Sequence, residues 1–146
     1  MKNVRKANIE DLPRIAEIFV FNYRLNFYPI FRNDDYYFNK LQVTELIKEY
    51  KKSPDNIYVY DDGAVKGFFQ VEGQQLKKLF VEPVLQGNSV GTKLIDYAIK
   101  KFDVKYLWVL EKNQRATAFY KRHGFYLTSD RKYEDGTDEY LILMKR

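Results

Sequence analysis

The amino-acid sequence predicts an α/β (α+β) protein with a mixed central sheet of about seven strands flanked by about four helices. Three observations predict it. Leu76 to Phe102 reads as an apolar strand, a turn of Pro83, Gln86, Gly87, Asn88 and Ser89, and a helix opening near Val90 or Gly91. Three β-rich runs, Ile57–Tyr60, Ala64–Val71 and Leu76–Val81, are joined by tight turns and make an antiparallel meander. The helix after them lies between two apolar strands, Leu76–Val81 and Lys105–Leu110, so its connection is a crossover and those strands should be parallel neighbours.

Taken in order, Asn3–Lys6 is a short first strand. Asn8 can cap a helix that carries Asp11 in its first turn and shows one face of Ile9, Leu12, Ile15, Ala16, Phe19 and Tyr23, reaching about Tyr23 or Arg24. Asn22 to Tyr37 is dense in aromatics, poor in periodicity and interrupted by Pro29; it reads as a loop over the core or a mobile lip over a substrate pocket. A second helix runs from Asn39 to Lys51, burying Leu41, Leu46 and Ile47, and Ser53-Pro54-Asp55 ends it. Asp61-Asp62-Gly63 and Glu72-Gly73-Gln74 turn the meander. Gly91, Leu94, Ile95, Ala98, Ile99 and Phe102 form one stripe of the helix that follows. Asn113 can cap a helix to about His123 with Ala116, Phe119 and Tyr120 inward, and Gly124 suits the position after its end. A strand begins at Phe125–Leu127, Glu134-Asp135-Gly136 turns it, and Glu139–Met144 is the last strand.

Composition narrows the function. With 146 residues, 45% hydrophobic and 31% charged, the chain reads as one domain over 1–146 rather than a disordered or fibrous segment. No apolar run approaches the ~20 residues of a membrane span, and no apolar h-region follows the early lysines, so a cytoplasmic protein without membrane association is expected. Cysteine is absent, which excludes disulfides, thiolate metal sites and a cysteine nucleophile, and no metal is expected. The net charge of +5 favours anionic ligands, but without a long basic block no nucleic-acid partner is indicated. Lys66-Gly67-Phe68 starts like an RNA-recognition signature, and Phe69 and Gln70 break it.

The strand–loop–helix at 76–102 carries the chemistry. A helix N-terminus offers free N–H groups and the positive end of the peptide dipoles, and small loop residues let a phosphate approach them. Splayed parallel strands leave a crevice at the same end. A Walker A loop fails here, because Gly87 to Lys93 is one spacer short and reverses the final pair; a dinucleotide fingerprint fails for want of a third glycine. Val81-Glu82-Pro83 followed by Gln86, Ser89 and Gly91 instead resembles the acyl-CoA pyrophosphate loop of the GNAT superfamily of N-acetyltransferases, V-x-P then [QR]-x-x-G-x-[GA], with Ser89 in place of a glycine. Asn113, Ala116, Phe119, Tyr120, Gly124 and Phe125 resemble a second GNAT segment, N-x-x-A-x-x-F-Y-x-x-x-G-F, one strand later. The element order is the family's as well, so the resemblance covers essentially the whole chain.

That resemblance implies acetyl-CoA as co-substrate, a small-molecule or peptide primary amine as acceptor, and direct attack in a ternary complex. It implies that backbone groups of Gln86, Gly87, Asn88, Ser89, Val90, Gly91 and Thr92 hold the pyrophosphate, and that Leu79, Phe80 and Val81 pair with the pantetheine arm and supply an N–H to the thioester carbonyl. Asn113 would touch the co-substrate, and Tyr120 would touch it and protonate the departing thiolate. Glu72, or alternatively Glu111, is the candidate general base. Lys93, Arg115 and Lys121 could reach the adenosine 3′-phosphate, and His123, the only histidine, suits a helix C-terminus without chemistry. Ser89 reads as a position where close approach, not positive φ, matters. The aromatic segment Tyr23–Tyr37 points to an acceptor of apolar or aromatic character. The resemblance leaves open a homodimer and the alternative of a CoA-binding, inactive sensor or scaffold.

Overall fold

The computed structural model describes residues 3–52, 55–85, 87 and 89–146. Seven strands, β1 (Val4–Lys6), β2 (Ile57–Asp61), β3 (Val65–Glu72), β4 (Gln75–Val81), β5 (Tyr106–Leu110), β6 (Tyr126–Tyr133) and β7 (Tyr140–Lys145), make one mixed sheet. Its order is β1-β2-β3-β4-β5-β7-β6, so β7 inserts between β5 and β6. The helices are α1 (Leu12–Asn22), α2 (Tyr28–Phe31), α3 (Val43–Lys52), α4 (Val90–Phe102) and α5 (Gln114–Arg122). The mixed sheet expected from the sequence is present, with five α-helical segments rather than about four.

The sheet is covered on both faces. Adjacent residues of a strand point to opposite sides, and Phe68 and Phe69 on β3 are both fully buried, one in each core. Phe68 joins Leu12, Ile15, Phe19 and Leu46 from the α1 and α3 side. Phe69 joins Leu94, Ile95, Ala98 and Leu107 from the α4 side. The Lys66-Gly67-Phe68 run is therefore the middle of a doubly covered strand, and Gly67 lets α4 lie close. A Cβ there would stand 2.9 Å from Leu94 Cδ1 and 3.0 Å from the Phe80 carbonyl oxygen.

Three expectations are corrected. Asn22 to Tyr37 is not a loop. α1 runs into a π-helical turn at Tyr23–Phe27, then α2, with Pro29 inside the first turn of α2 where its missing N–H is no loss. A second π-helical turn covers Asp35–Lys40, and α3 starts only at Val43, so Leu41 is buried ahead of the helix rather than on it. The widened turns blur the 3.6-residue period that would have revealed them. Ile9 belongs to a short 3₁₀ turn before α1 and is 66% exposed instead of joining the buried face. Asn8 does cap this turn, accepting from the Glu10 N–H while Asp11 returns a bond to the Asn8 N–H. The Ser53-Pro54 stop signal lies outside the described residues.

Candidate active site

β4 and β5 run parallel but meet, among the described residues, only at Gln75 and Tyr106. Beyond that pair they diverge, because β5 pairs with β7 along its whole length on its other side. β4 is held to β3 throughout, and the Glu82 N–H donates to the Lys66 carbonyl at 2.8 Å. By antiparallel alternation, Phe80 then faces the β3 ladder, while the backbone groups of Leu79 and Val81 face the gap. A buried donor or acceptor without a ladder partner needs another one. The Val81 carbonyl receives the Asn22 Nδ2 at 2.9 Å, from a side chain buried at the end of α1. The gap is the place where an extended ligand could add to the sheet.

Two cavities open into it from opposite sides. One, about 420 Å³, lies against the start of α4 and is walled by Gly87, Ser89, Gly91 and Thr92 with Arg115 and Arg122. The other, about 590 Å³, lies under the aromatic segment and the β6–β7 turn. They share five wall residues, Leu79, Phe80, Asn113, Ala116 and Tyr120. The split strand and one tyrosine thus form the common wall.

The smaller cavity has the features of an anion site. Gly87 has φ 94° and Ser89 φ 65°, ψ 2°, so the chain turns sharply into α4, and among the described residues no side chain caps that helix. The first-turn N–H groups of this 13-residue helix are left for a ligand or water. Ser89 therefore occupies the positive-φ position of the loop, against the expectation that only close approach matters there: the reversal into α4 demands a left-handed residue. Gly91 is a packing glycine, since a Cβ would come within 3.2 Å of the Phe119 ring on α5. Asn113 caps α5, its Oδ1 accepting from the Ala116 N–H at 3.2 Å. Val90 turns its side chain into the core against Gly67 and leaves only its backbone toward the loop. Gln86 and Asn88 lie outside the described residues. Thr92 Oγ1 is 3.3 Å from His123 Nε2, and His123 Nδ1 is 3.8 Å from Asp96, so the lone histidine ties α5 to α4. Of the basic candidates, Arg115 lines the cavity and Lys93 does not, its ammonium lying 3.4 Å from the Tyr60 hydroxyl. Lys121 is also outside the lining, and Arg122, one residue on, is within it.

Tyr120 sits where the cavities join, its ring packed edge-on against Phe119 and Phe125. Burial holds its phenol above the ordinary tyrosine range, and like any tyrosine it is protonated near neutrality. The carboxylates fall differently from the sequence reading. Glu72 ends β3 opposite Gln75, 76% exposed and 3.6 Å from Lys77, and lines neither cavity. Glu111 pairs with Arg131 at 3.3 Å and lines neither cavity. The acid that does line the larger cavity is Glu134, together with the exposed Asp135. Burial is the first cause of a raised Glu134 pKa.

The model of the Acetyltransferase (GNAT) domain family matches residues 53–127, just over half of the chain. The chain belongs to the GNAT family. It is 27% identical over 105 residues to the peptidyl-lysine N-acetyltransferase YjaB of Salmonella typhimurium, which covers 71% of this chain and 72% of that protein. Among solved structures, apo YjaB of Escherichia coli superposes with a TM-score of 0.73 at 23% identity, covering 97% of this chain and 95% of that one. The PaiA N-acetyltransferase of Thermoplasma acidophilum, solved with coenzyme A, superposes with a TM-score of 0.69 at 21% identity and 98% coverage of both. This chain is a GNAT acetyltransferase with the family's seven-stranded fold.

Within this GNAT chain, the uncapped first turn of α4, the left-handed turn at Gly87 and Ser89, and the two arginines fit a pyrophosphate-bearing ligand. Sequence reasoning missed Glu134 because Glu134-Asp135-Gly136 reads as an ordinary hairpin turn. It missed Asn22 because an asparagine inside a helix gives no signal of a partner 59 residues away. Arg122 was one helical residue from a named candidate.

Proposed function

We propose that this GNAT acetyltransferase moves the acetyl group of acetyl-CoA to a primary amine by direct attack in a ternary complex, and that the acceptor is a peptidyl lysine. The observation that carries the reading is the meeting of two cavities at Tyr120 and at the edge of β4 that β5 leaves uncovered around Leu79. Donor and acceptor can then occupy opposite sides of one wall at once, which converts a bimolecular transfer into an oriented one. The solved neighbours include an N-acetyltransferase with coenzyme A and an acetyltransferase with acetyl-CoA bound, and the relative YjaB, a peptidyl-lysine N-acetyltransferase, supplies the lysine class.

The thioester supplies an activated acyl carbon and a thiolate leaving group; the chain supplies position and protons. Gly87 and the N–H groups of Ser89 to Thr92 bind the pyrophosphate at the helix N-terminus, with Arg115 and Arg122 adding charge at the mouth. Leu79 and Val81 hold the extended arm as an added strand, and one of their N–H groups polarises the acyl oxygen. Asn113 braces the far wall of the slot. The Tyr120 hydroxyl, protonated at neutral pH as an ordinary tyrosine is, gives its proton to the departing sulfur. The test is thermal unfolding with acetyl-CoA, CoA, ATP and NAD, followed by thiol release with lysine peptides. At ~100 times its dissociation constant a specific ligand adds about 2.7 kcal/mol. Stabilisation by acetyl-CoA and CoA alone, with amine-dependent thiol release, is expected. Stabilisation without thiol release from any amine would identify a CoA-binding sensor, and no stabilisation would contradict the donor site.

A further inference from the structure

Glu134 is set off from the exposed Asp135 and Asp138 of the same turn by its partial burial, and from other glutamates around this end of the sheet by the want of an ion pair. Glu82 pairs with Arg14 at 2.7 Å, Glu111 with Arg131 at 3.3 Å and Glu139 with Lys112 at 2.9 Å. Among the described residues Glu134 has no cation within ion-pair distance, although it is half-buried in the wall of the larger cavity. Its backbone is fixed: the Glu134 N–H donates to the Glu139 carbonyl at 2.8 Å, and its own carbonyl accepts from the Thr137 N–H and hydroxyl at 3.0 and 2.9 Å. A rigid turn therefore holds the carboxylate partly out of water, where the Asp135 N–H bonds it and the charge of Lys132 favours it, but burial outweighs both, so a docked cation would be favoured there.

The opposite wall is aromatic. Tyr23, Tyr36 and Tyr37 line the cavity, and after burial, the largest cause, the charge of Glu134 contributes to raising the pKa of each. Tyrosine faces attract cations and accept methylene groups. None of the cavity's lysines is within ion-pair distance of Glu134, although the charge of Lys132 acts on it. Lys77 turns out to Glu72, Lys132 lies 4.3 Å from the Trp108 ring centre, and Lys78 is held 4.9 Å from the Phe19 ring centre beside the Tyr50 hydroxyl, with burial lowering its pKa. Asp135 adds negative charge next to Glu134.

We propose that the Glu134 carboxylate docks the protonated amine of the acceptor, and that the tyrosines opposite select an unbranched alkylammonium arm. This rests on the transfer reading above and assigns its acceptor side. Glu134 is a binding residue here: it concentrates the ammonium in the cavity that Tyr120 also lines; the ammonium loses one proton to solvent before its nitrogen attacks, and the second proton, shed as the amide forms, restores the Tyr120 hydroxyl after it has protonated the thiolate.

The experiment compares two peptides identical except at one side chain, lysine in one and an aminooxy analogue, uncharged at neutral pH, in the other. Acetyl transfer to both is measured with the wild-type chain, Glu134→Gln and Glu134→Asp, alongside acetyl-CoA affinity by calorimetry. For the lysine peptide, Glu134→Gln should raise KM about tenfold or more, the scale of a lost buried charge pair. Glu134→Asp should recover part of that loss. KM for the aminooxy peptide and acetyl-CoA affinity should change less than about twofold. Equal losses with both peptides, or no loss with lysine, would overturn the docking role while leaving the transfer reading intact. Failure of the wild-type chain to acetylate either peptide would overturn that reading and this one with it.

Discussion

Ser89 carries a side chain through a backbone conformation that L-residues avoid, with φ 65° immediately before α4. Left-handed geometry costs a non-glycine residue roughly 1–2 kcal/mol, and the Ser89 hydroxyl makes no capping bond that would offset it. Ser89→Gly should therefore raise stability by about 1 kcal/mol in urea unfolding, after glycine's own chain entropy is subtracted, and leave acetyl-CoA affinity unchanged. Ser89→Glu should abolish that affinity by setting a carboxylate where phosphate binds, while the chain still folds. The loop was legible as an anion site because glycines and small polar residues precede an amphipathic stripe. The sign of φ at one serine was not, since it depends on the angle at which α4 leaves β4. The acid in the larger cavity was equally hidden, because which turn carboxylate lacks a cation is decided by distant lysines and arginines.

At the scale of elements, the gap between β4 and β5 depends on what holds β4 to the other side. Asn22 bonds both the Ile18 and Val81 carbonyls at 2.9 Å, pinning the end of α1 to the end of β4. Asn22→Leu leaves the Val81 carbonyl without this donor and should cost about 1–3 kcal/mol, with a weaker acetyl-CoA affinity that calorimetry would register. Gly67→Ala forces a methyl to 2.9 Å from Leu94 and 3.0 Å from a backbone oxygen, and should destabilise by about 1–3 kcal/mol as α4 shifts. Strands, turns and the two motif helices were readable from alternation, Gly-containing turns and apolar stripes such as Leu94, Ile95 and Ala98. The segment from Tyr23 to Lys40 was not, because π-helical turns and Pro29 disturb the period on which helix recognition relies.

On the scale of the whole molecule, two cores share one sheet, and tyrosines are built into both. Burial, first among the causes, pushes Tyr37 up to about 12 and raises Tyr23, Tyr50 and Tyr120 further. A raised folded-state pKa contributes stability that is complete below the unfolded value near 10 and is lost as pH rises above it. Stability in urea should accordingly be flat from neutrality to about pH 10 on this account and fall beyond it. Asp11, lowered first by its bonds to Arg5, acts in the opposite direction and loses its contribution as pH falls below about 4. The burial of these tyrosines thus makes the fold sensitive to alkali. The account stands most directly on single-turnover acetyl transfer by Tyr120→Phe, with acetyl-CoA affinity measured on the same preparation. It predicts affinity within about threefold of wild type and a transfer rate lower by about 10²–10⁴, the range for a lost general acid. An undiminished rate would contradict the assignment of Tyr120 at the meeting point of the two cavities.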